Sequence, residues 1–292
     1  MRGSPAARPT TDSGSLETVR GLLDPVLARF LADRRAELAA MDPSAAMLVE
    51  EIERLVGAGG KRIRPALCYW AFRAAGGDGG NPIVNACVAL ELLHTSALTH
   101  DDVMDRTAER RGVPASHRRF AAEAPPGADP EAHGTAAAIL VGDLALVLSE
   151  QALRVSGFVD PELARAMTRF DRMRVEMAAG QFLDVSGSGD PARVAALKSG
   201  SYTAVGPVLI GSALAGAGAA VEGPLGVYAH LVGEAFQLRD DIVDGDAPPG
   251  SSSQVAPLVD RAVLALEGAP LIPEGAAALV ELAGLLRLPV DG

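Results

Sequence analysis

Two short stretches of this chain set carboxylates at helical spacing, and such pairs suit metal-assisted handling of phosphate. In residues 94–111, His-Thr-Ser-Ala-Leu-Thr-His-Asp-Asp-Val-Met-Asp-Arg-Thr-Ala-Glu-Arg-Arg, Asp101 and Asp105 lie four apart and share one helix face. His94 lies on nearly the same stripe two turns back, about 10 Å away at 1.5 Å per residue. Two carboxylates one turn apart repel, and the pair becomes favourable when a divalent cation sits between them and a ligand. Mg²⁺ fits best, because it takes one or two carboxylates and fills its other positions with water and phosphate oxygens. Arg110 and Arg111 add two fixed positive charges suited to bidentate phosphate contact. A second face follows in residues 236–244, Phe-Gln-Leu-Arg-Asp-Asp-Ile-Val-Asp, where Gln237, Asp240, Asp241 and Asp244 fall at offsets of three, four and seven. One such face is as readily an acidic helix end, but two in one chain favour a paired metal site.

A third block, Gly59-Gly60-Lys61-Arg62-Ile63-Arg64-Pro65, has the makings of an anion site. A glycine pair lets backbone approach an anion, and a helix starting there offers free N–H groups and the positive end of its dipole. Lys61 and Arg64, three apart, face one side. The chain has two lysines, Lys61 and Lys198, among 26 basic residues, so lysine at these two positions points to a compact ammonium. Gln181 and Asp184 share one face of an otherwise apolar segment and are expected to line the same cavity, a buried hydrogen-bond pair being the competing reading. Asp143 is a similar case and stays off the catalytic set.

The elements that must position these groups read as helices. Apolar residues recur at three- and four-residue spacing in Leu16–Leu38, Met47–Val56, Ile83–Leu98, Ala136–Leu153, Leu163–Phe182 and Tyr228–Ile242. No stretch alternates long enough to make a strand. Breaks fall at Asp42-Pro43, Gly76–Pro82, Ala124–Pro130, Gly187–Pro191 and Ala247–Ser253. The expected architecture is all-α, a single-domain bundle of about ten or more helices around a central cavity. A chain of 292 residues, 48% hydrophobic, can bury a core of that size. The uncharged stretch Val205–Val221 is rich in Gly and Ala, contains Pro207 and is short for a membrane span, so it is expected to be a buried, closely packed helix, not a membrane-spanning one. Net charge of −11 excludes a nucleic-acid partner that would need a basic face. Two cysteines, Cys68 and Cys87, are too few for a disulfide framework and place the chain in a reducing, cytoplasmic setting. Residues 1–15, rich in Pro, Ser, Thr, Gly and Ala, read as a disordered tail, with recruitment of a protein partner open to it, and residues 16–292 as the folded domain.

His100-Asp101-Asp102-Val103-Met104-Asp105, then Arg110-Arg111-Gly112 and Pro114, then Asp240-Asp241-x-x-Asp244, resemble the trans-isoprenyl diphosphate synthases, the polyprenyl synthetase family, and within it the geranylgeranyl diphosphate synthases. The likeness runs from about Gly59 to Asp244. It implies that Asp101, Asp105, Asp240, Asp241 and Asp244 hold about three Mg²⁺ ions, and that Asp101, Asp102, Asp105, Lys198, Asp240 and Asp241 are catalytic. It also implies that Lys61, Arg64, His94 and Arg111 hold the diphosphate of isopentenyl diphosphate, the substrate that needs no metal. Arg110, Lys198, Ser199 and Gln237 would contact the allylic diphosphate, whether dimethylallyl, geranyl or farnesyl. Ser199 stands where the family usually has Thr, which keeps the hydroxyl. A homodimer is implied on the same ground.

The implied reaction is head-to-tail condensation to a linear all-trans prenyl diphosphate. Concentrated positive charge stabilises the leaving diphosphate as its C–O bond breaks, the double bond of isopentenyl diphosphate attacks the allylic cation, the resulting cation loses a proton to the departing diphosphate, and the cavity keeps water out. Each added unit buries five carbons, worth roughly 3–4 kcal/mol, so the tail advances until side chains stop it. In the family, aromatic residues four or five positions before the first aspartate close the pocket early. Here Ala97 and Ser96 are small, which makes Leu93 and Leu90 the next candidates for a floor and geranylgeranyl diphosphate or a longer chain the expected product. One departure stands out: no lysine follows Lys198, whereas the family usually carries a Gly-Lys segment and a further Lys after the second cluster. Arg239 and Arg261 are candidate substitutes. Two other functions compete. A class I terpene cyclase needs no second diphosphate site, which Lys61, Arg64 and Arg111 argue against, and a non-catalytic partner subunit would not need six intact aspartates.

Overall fold

The computed structural model describes residues 14–245, 247, 248 and 250–287, and the first thirteen and last five residues fall outside it. Helix α1 spans Gly14–Met41, so it takes in the last two residues of the expected tail, and Ser15 is buried. Its apolar stripe Leu16, Leu23, Leu27 and Leu31 is almost wholly buried. A short 3₁₀ turn, Pro43–Ala45, follows the break at Asp42, whose carboxylate accepts from Ser44 N at 2.7 Å. Then come α2 (Ala46–Gly57), α3 (Ile63–Ala74) and α4 (Asn81–Met104). A two-stranded ribbon, β1 (Glu109–Arg110) and β2 (Val113–Pro114), leads into α5 (Ser116–Ala122). The alternation of a two-residue strand is too short to be seen in sequence.

The second half holds α6 (Pro130–Arg154), α7 (Glu162–Val185), α8 (Pro191–Ala195), a π-helical segment at Ala196–Val205, α9 (Gly206–Leu214), α10 (Ala219–Asp244), α11 (Ser252–Leu266) and α12 (Pro273–Gly284). Asp129 caps α6 by accepting from Glu131 N at 3.0 Å, and Asp190 caps α8 from Arg193 N at 3.1 Å, each with proline at the first turn. The fold is all-α, as the periodicity predicts. The expected single helix over Val205–Val221 is instead interrupted: α9 ends at Leu214, Gly216 turns the chain at φ 70°, and α10 begins at Ala219. Gly-Ala-Gly at 216–218 supplies that turn, which low charge and high hydropathy had masked.

Helices α3, α4 and α10 supply the largest shares of the core, with α1, α6 and α11 packed around them. Leu67, Ile83, Leu90, Leu92, Leu93 and Phe170 are among its fully buried side chains, and the Tyr228 hydroxyl reaches across from α10 to donate to Leu279 O on α12 at 2.6 Å. Among the described residues two helices, α4 and α6, are long and apolar enough to cross a membrane. The most apolar window of α4 is 72% buried inside the protein, as in a core helix, and that of α6 is 44% buried.

Candidate functional site

At the carboxyl end of α4, Asp102 points into the protein and Asp101 sits half-buried beside it. Arg110 bridges the two, its Nε donating to Asp102 Oδ1 at 2.6 Å and its NH2 lying 3.5 Å from Asp101 Oδ2. Burial raises the Asp102 pKa above the usual range, with Arg110 pulling it back. Asp105 is exposed. The ribbon pairs Glu109 with Pro114 and Arg110 with Val113, so Arg111 and Gly112 form its two-residue loop, at φ 55° and 75°. Both central residues of such a loop need positive φ, which explains the glycine. The turn sends successive arginines to different places: Arg110 to the aspartates, Arg111 to the Gly59 carbonyl and to 3.5 Å from His94 Nε2.

Around His94 lies a cavity of about 570 Å³ lined by Lys61, Arg64, His94, Arg110, Arg111, Ser199, Tyr202, Thr203 and Asp240. Tyr202 Oη is 3.3 Å from His94 Nδ1, and the Arg64 guanidinium stacks 4.2 Å above the Tyr202 ring. Arg64 NH2 donates to Thr203 Oγ1 at 2.9 Å, while its Nε is buried without a partner. Burial lowers the His94 pKa well below its ordinary value, and Arg64, Arg111, Arg110 and Arg62 push the same way, so the ring is neutral. The resemblance implies that Lys61, Arg64, His94 and Arg111 form one anion site, and all four line this one cavity. Tyr202 and Thr203 were missed, since nothing in a hydroxyl's spacing distinguishes it from ordinary surface polarity.

Lys198 stands on the other side of the same wall. Its Nζ donates to Asp184 Oδ2 at 2.5 Å and lies 3.6 Å from Asp101 Oδ1, and Gln181 Nε2 donates to Asp101 Oδ1 at 3.2 Å. Burial would lower the Lys198 pKa, but Asp184, Asp101 and Asp105 outweigh it and hold the ammonium charged. Gln181 and Asp184, expected to line the same cavity, therefore join Asp101 and Lys198 in one cluster. Helix α7 can come this close because residue 180 is glycine: a Cβ there would be 2.3 Å from Lys198 N. The π-helical segment ends with Gly206 N–H bonded to Ser201 O five residues back, a winding that no residue type signals.

On α10, Gln237 Nε2 donates to Asp241 Oδ1 at 2.6 Å, and Gln237 Oε1 is buried without a partner. Asp240 opens onto the 570 Å³ cavity; the surrounding protein desolvates it and, with Asp244 and Asp241 nearby, pushes its pKa up to about 6 against the pull of Arg64. Gln237 and Asp241 line a second cavity, about 750 Å³, between α7, the π-helical segment, α10 and α11. Asp244 is exposed. Of the candidate lysine substitutes, Arg239 lines the 570 Å³ cavity and donates to Leu285 O at 2.8 Å, and Arg261 is exposed on α11. Leu90, Leu93 and Ser96 are buried in α4 and Ala97 is half-buried, and none of the four lines either cavity.

Among the described residues no three His, Cys, Asp or Glu side chains converge as a cage for a cation. The residues still fit Mg²⁺, which takes few carboxylates and shares a ligand's oxygens. Asp101, Asp105, Asp240, Asp241 and Asp244 are the carboxylates available to it, and Gln237 Oε1 beside Asp241 is a buried acceptor without a partner.

The Polyprenyl synthetase family profile matches residues 45–253. The chain is 36% identical over 205 residues to a geranylgeranyl diphosphate synthase of Methanosarcina mazei, covering 66% of this chain and 57% of that protein. It is 32% identical over 285 residues to a geranylgeranyl diphosphate synthase of Mycobacterium tuberculosis, covering 94% and 76%. The chain thus spans less than two thirds of the Methanosarcina relative. Its structure is similar to the crystal structure of geranylgeranyl pyrophosphate synthase from Corynebacterium glutamicum complexed with isoprenyl diphosphate and magnesium, with a TM-score of 0.82 at 25% identity over 94% of this chain and 98% of that one.

Proposed function

The chain belongs to the polyprenyl synthetase family, and from that premise we propose that it is a Mg²⁺-dependent prenyltransferase. It condenses isopentenyl diphosphate head to tail with dimethylallyl, geranyl or farnesyl diphosphate, giving linear all-trans geranylgeranyl diphosphate or a longer chain. The observation that carries this reading is the buried, unpartnered Nε of Arg64, in a cavity shared with Lys61, His94 and Arg111. A buried charged donor left without an acceptor is costly unless an anion completes it. That cavity is a diphosphate site built of cations, beside the cluster of Asp101 and Lys198. Two diphosphate sites are what chain elongation needs, and a terpene cyclase needs one.

In this reading Lys61, Arg64 and Arg111 grip isopentenyl diphosphate, and neutral His94 hydrogen-bonds it without adding charge. Asp101, Asp105, Asp240, Asp241 and Asp244 hold about three Mg²⁺, which supply positive charge to the departing allylic diphosphate. Lys198, kept charged by Asp184 and Asp101, adds to that charge, with Arg110, Ser199 and Gln237 orienting the same group. Asp102 fixes Arg110 in place. In this reading the small Ser96 and Ala97 let the tail pass the first cluster, and Leu93 and Leu90, which line neither of the two cavities, stop it deeper along α4. The exposed apolar stripe of α6, with Ile139, Leu140 and Val147, supports pairing of two copies. Two free, buried cysteines support a reducing, cytoplasmic setting.

The test is a product assay with purified protein, Mg²⁺, labelled isopentenyl diphosphate and five-, ten-, fifteen- or twenty-carbon allylic primers. A discrete product of twenty or more carbons is expected, abolished by EDTA and in Asp101→Ala. A fifteen-carbon stop would overturn the Ser96 and Ala97 reading. Cyclic hydrocarbon without elongation would move the chain to the cyclases, and no turnover with any primer would favour a partner subunit.

A further inference from the structure

A buried carboxylate is out of place in the wall of an anion-binding cavity, because by Coulomb's law alone it weakens every anion that enters. Glu91 is such a group, 3% exposed and lining the cavity with Lys61, Arg64 and Arg111. Glu109 and Asp240 also border it, but both are open to solvent. Glu91 Oε1 accepts from Arg62 NH1 at 2.7 Å. Arg62, 7% exposed, also donates to Asp24 Oδ1 at 3.0 Å and Val56 O at 3.1 Å, so each of its three nitrogens is engaged within the protein.

The backbone explains why that pair is needed. Gly59, Gly60 and Arg62 all have positive φ, at 108°, 144° and 54°. A left-handed conformation is strained for arginine, so contacts elsewhere must hold it. The turn also runs between two guanidinium groups. A Cβ on Gly60 would lie 3.0 Å from Arg62 NH1 and 3.1 Å from Arg111 NH1, and Arg111 donates to Gly59 O. Two like charges around one tight turn repel, and Glu91, bonded to one and attracting the other, is the buried counter-charge. It sits three residues before His94 on α4, so the same helix face fixes both the turn and the ring that meets Arg111.

We propose that Glu91 is a positioning residue: by holding Arg62 it sets the 59–64 turn so that Lys61, Arg64 and Arg111 converge on the diphosphate that binds without metal. The inference rests on the reading of this cavity given above. It has a sign that simple charge lacks. Removing the carboxylate's charge should tighten anion binding if only the local potential matters, and weaken it if the turn depends on Glu91.

The experiment is calorimetric titration of inorganic pyrophosphate without Mg²⁺ into wild type, Arg64→Ala, Glu91→Gln and Glu91→Asp, with thermal midpoints measured alongside. Wild type should bind, Arg64→Ala should not, and Glu91→Gln should bind about tenfold more weakly or worse, with Glu91→Asp recovering part of the loss. In turnover, Glu91→Gln should raise KM for isopentenyl diphosphate and leave KM for the allylic primer unchanged. Unchanged or tighter pyrophosphate binding by Glu91→Gln, with wild type binding and Arg64→Ala not, overturns the role of Glu91 alone; so does an equal rise in both KM values. If wild type does not bind pyrophosphate, or Arg64→Ala binds as well as wild type, the reading of the cavity falls and takes this inference with it. Arg62→Lys, which keeps the charge and loses the planar fork, carries the same expectation and covers a Glu91→Gln chain that fails to fold.

Discussion

Arg64 shows how much a single residue's type can disclose. Its spacing from Lys61 marks it for an anion, and in the structure it lines the cavity with its Nε buried and unpartnered. His94 was legible only through its place behind Asp101, since an isolated histidine on an apolar helix is more often a core residue. Glu51 was not legible at all. It is fully buried and receives Arg54 NH2 of its own helix at 2.5 Å, and also Ser116 Oγ at 2.5 Å and Arg119, two ties that depend on α5 folding back onto α2. Burial works to raise its pKa, but Arg54, Ser116 and Arg119 outweigh that and hold it below its ordinary value of 4.5. The folded state therefore binds this proton less readily than the unfolded one. The resulting stability is complete above about pH 4.5 and is lost as pH falls through the lower folded value. Glu51→Gln should remove that part of the acid dependence in urea melts taken across this range. At neutral pH it should cost toward the lower end of about 3–5 kcal/mol, because both arginines keep about a quarter of their side-chain surface in water.

At the scale of elements, the helices were legible because each shows a long apolar period, while the pieces that aim the site were not. The ribbon at 109–114 is two residues long on each side, and the π-helical segment has ordinary helix composition. Both matter: the first divides Arg110 from Arg111, and the second brings Lys198 to Asp184 and Asp101 while Ser199, Tyr202 and Thr203 face the other cavity. The contact that seats the π-helical segment on α7 is Gly180, whose added Cβ would meet Lys198 N at 2.3 Å, backbone that cannot swing aside. Gly180→Ala should therefore push the two elements apart. The expected outcome is a loss of about 1–3 kcal/mol of stability. Under the proposed reaction, prenyl transfer should fall through kcat, because Lys198 would leave the allylic side, while KM for isopentenyl diphosphate, which that reading assigns to the opposite wall, should change little. Equal stability and unchanged kcat would show that the segment does not depend on this contact.

For the whole molecule, the open question is what covers α6. The apolar run at Ala136–Leu153 was read as helix from its periodicity, and the structure extends that helix to Pro130–Arg154. Helix α6 packs chiefly against α4 and α5, with α2 and α7 meeting it more lightly. Ile139, Leu140 and Val147 stay 43%, 54% and 63% exposed, and positions 136, 140, 143 and 147 form one stripe along the outer face. A lone exposed leucine needs no explanation, but an apolar stripe over three turns of one helix does. A sequence alone cannot tell this stripe from a core-facing one, because the same period serves burial within a chain and burial between chains. Asp143, in the middle of the stripe, lies 3.5 Å from His100 Nε2, one residue before Asp101, so whatever packs on this face also presses on the back of the first carboxylate cluster. If two copies pair here, Leu140→Glu with Val147→Glu should shift the mass measured by light scattering from two chains to one, with little change in the thermal midpoint of the isolated chain. Activity should fall together with the mass, since α4 would lose the support behind Asp101. A single-chain mass for the wild type at micromolar concentration would show that α6 does not serve pairing.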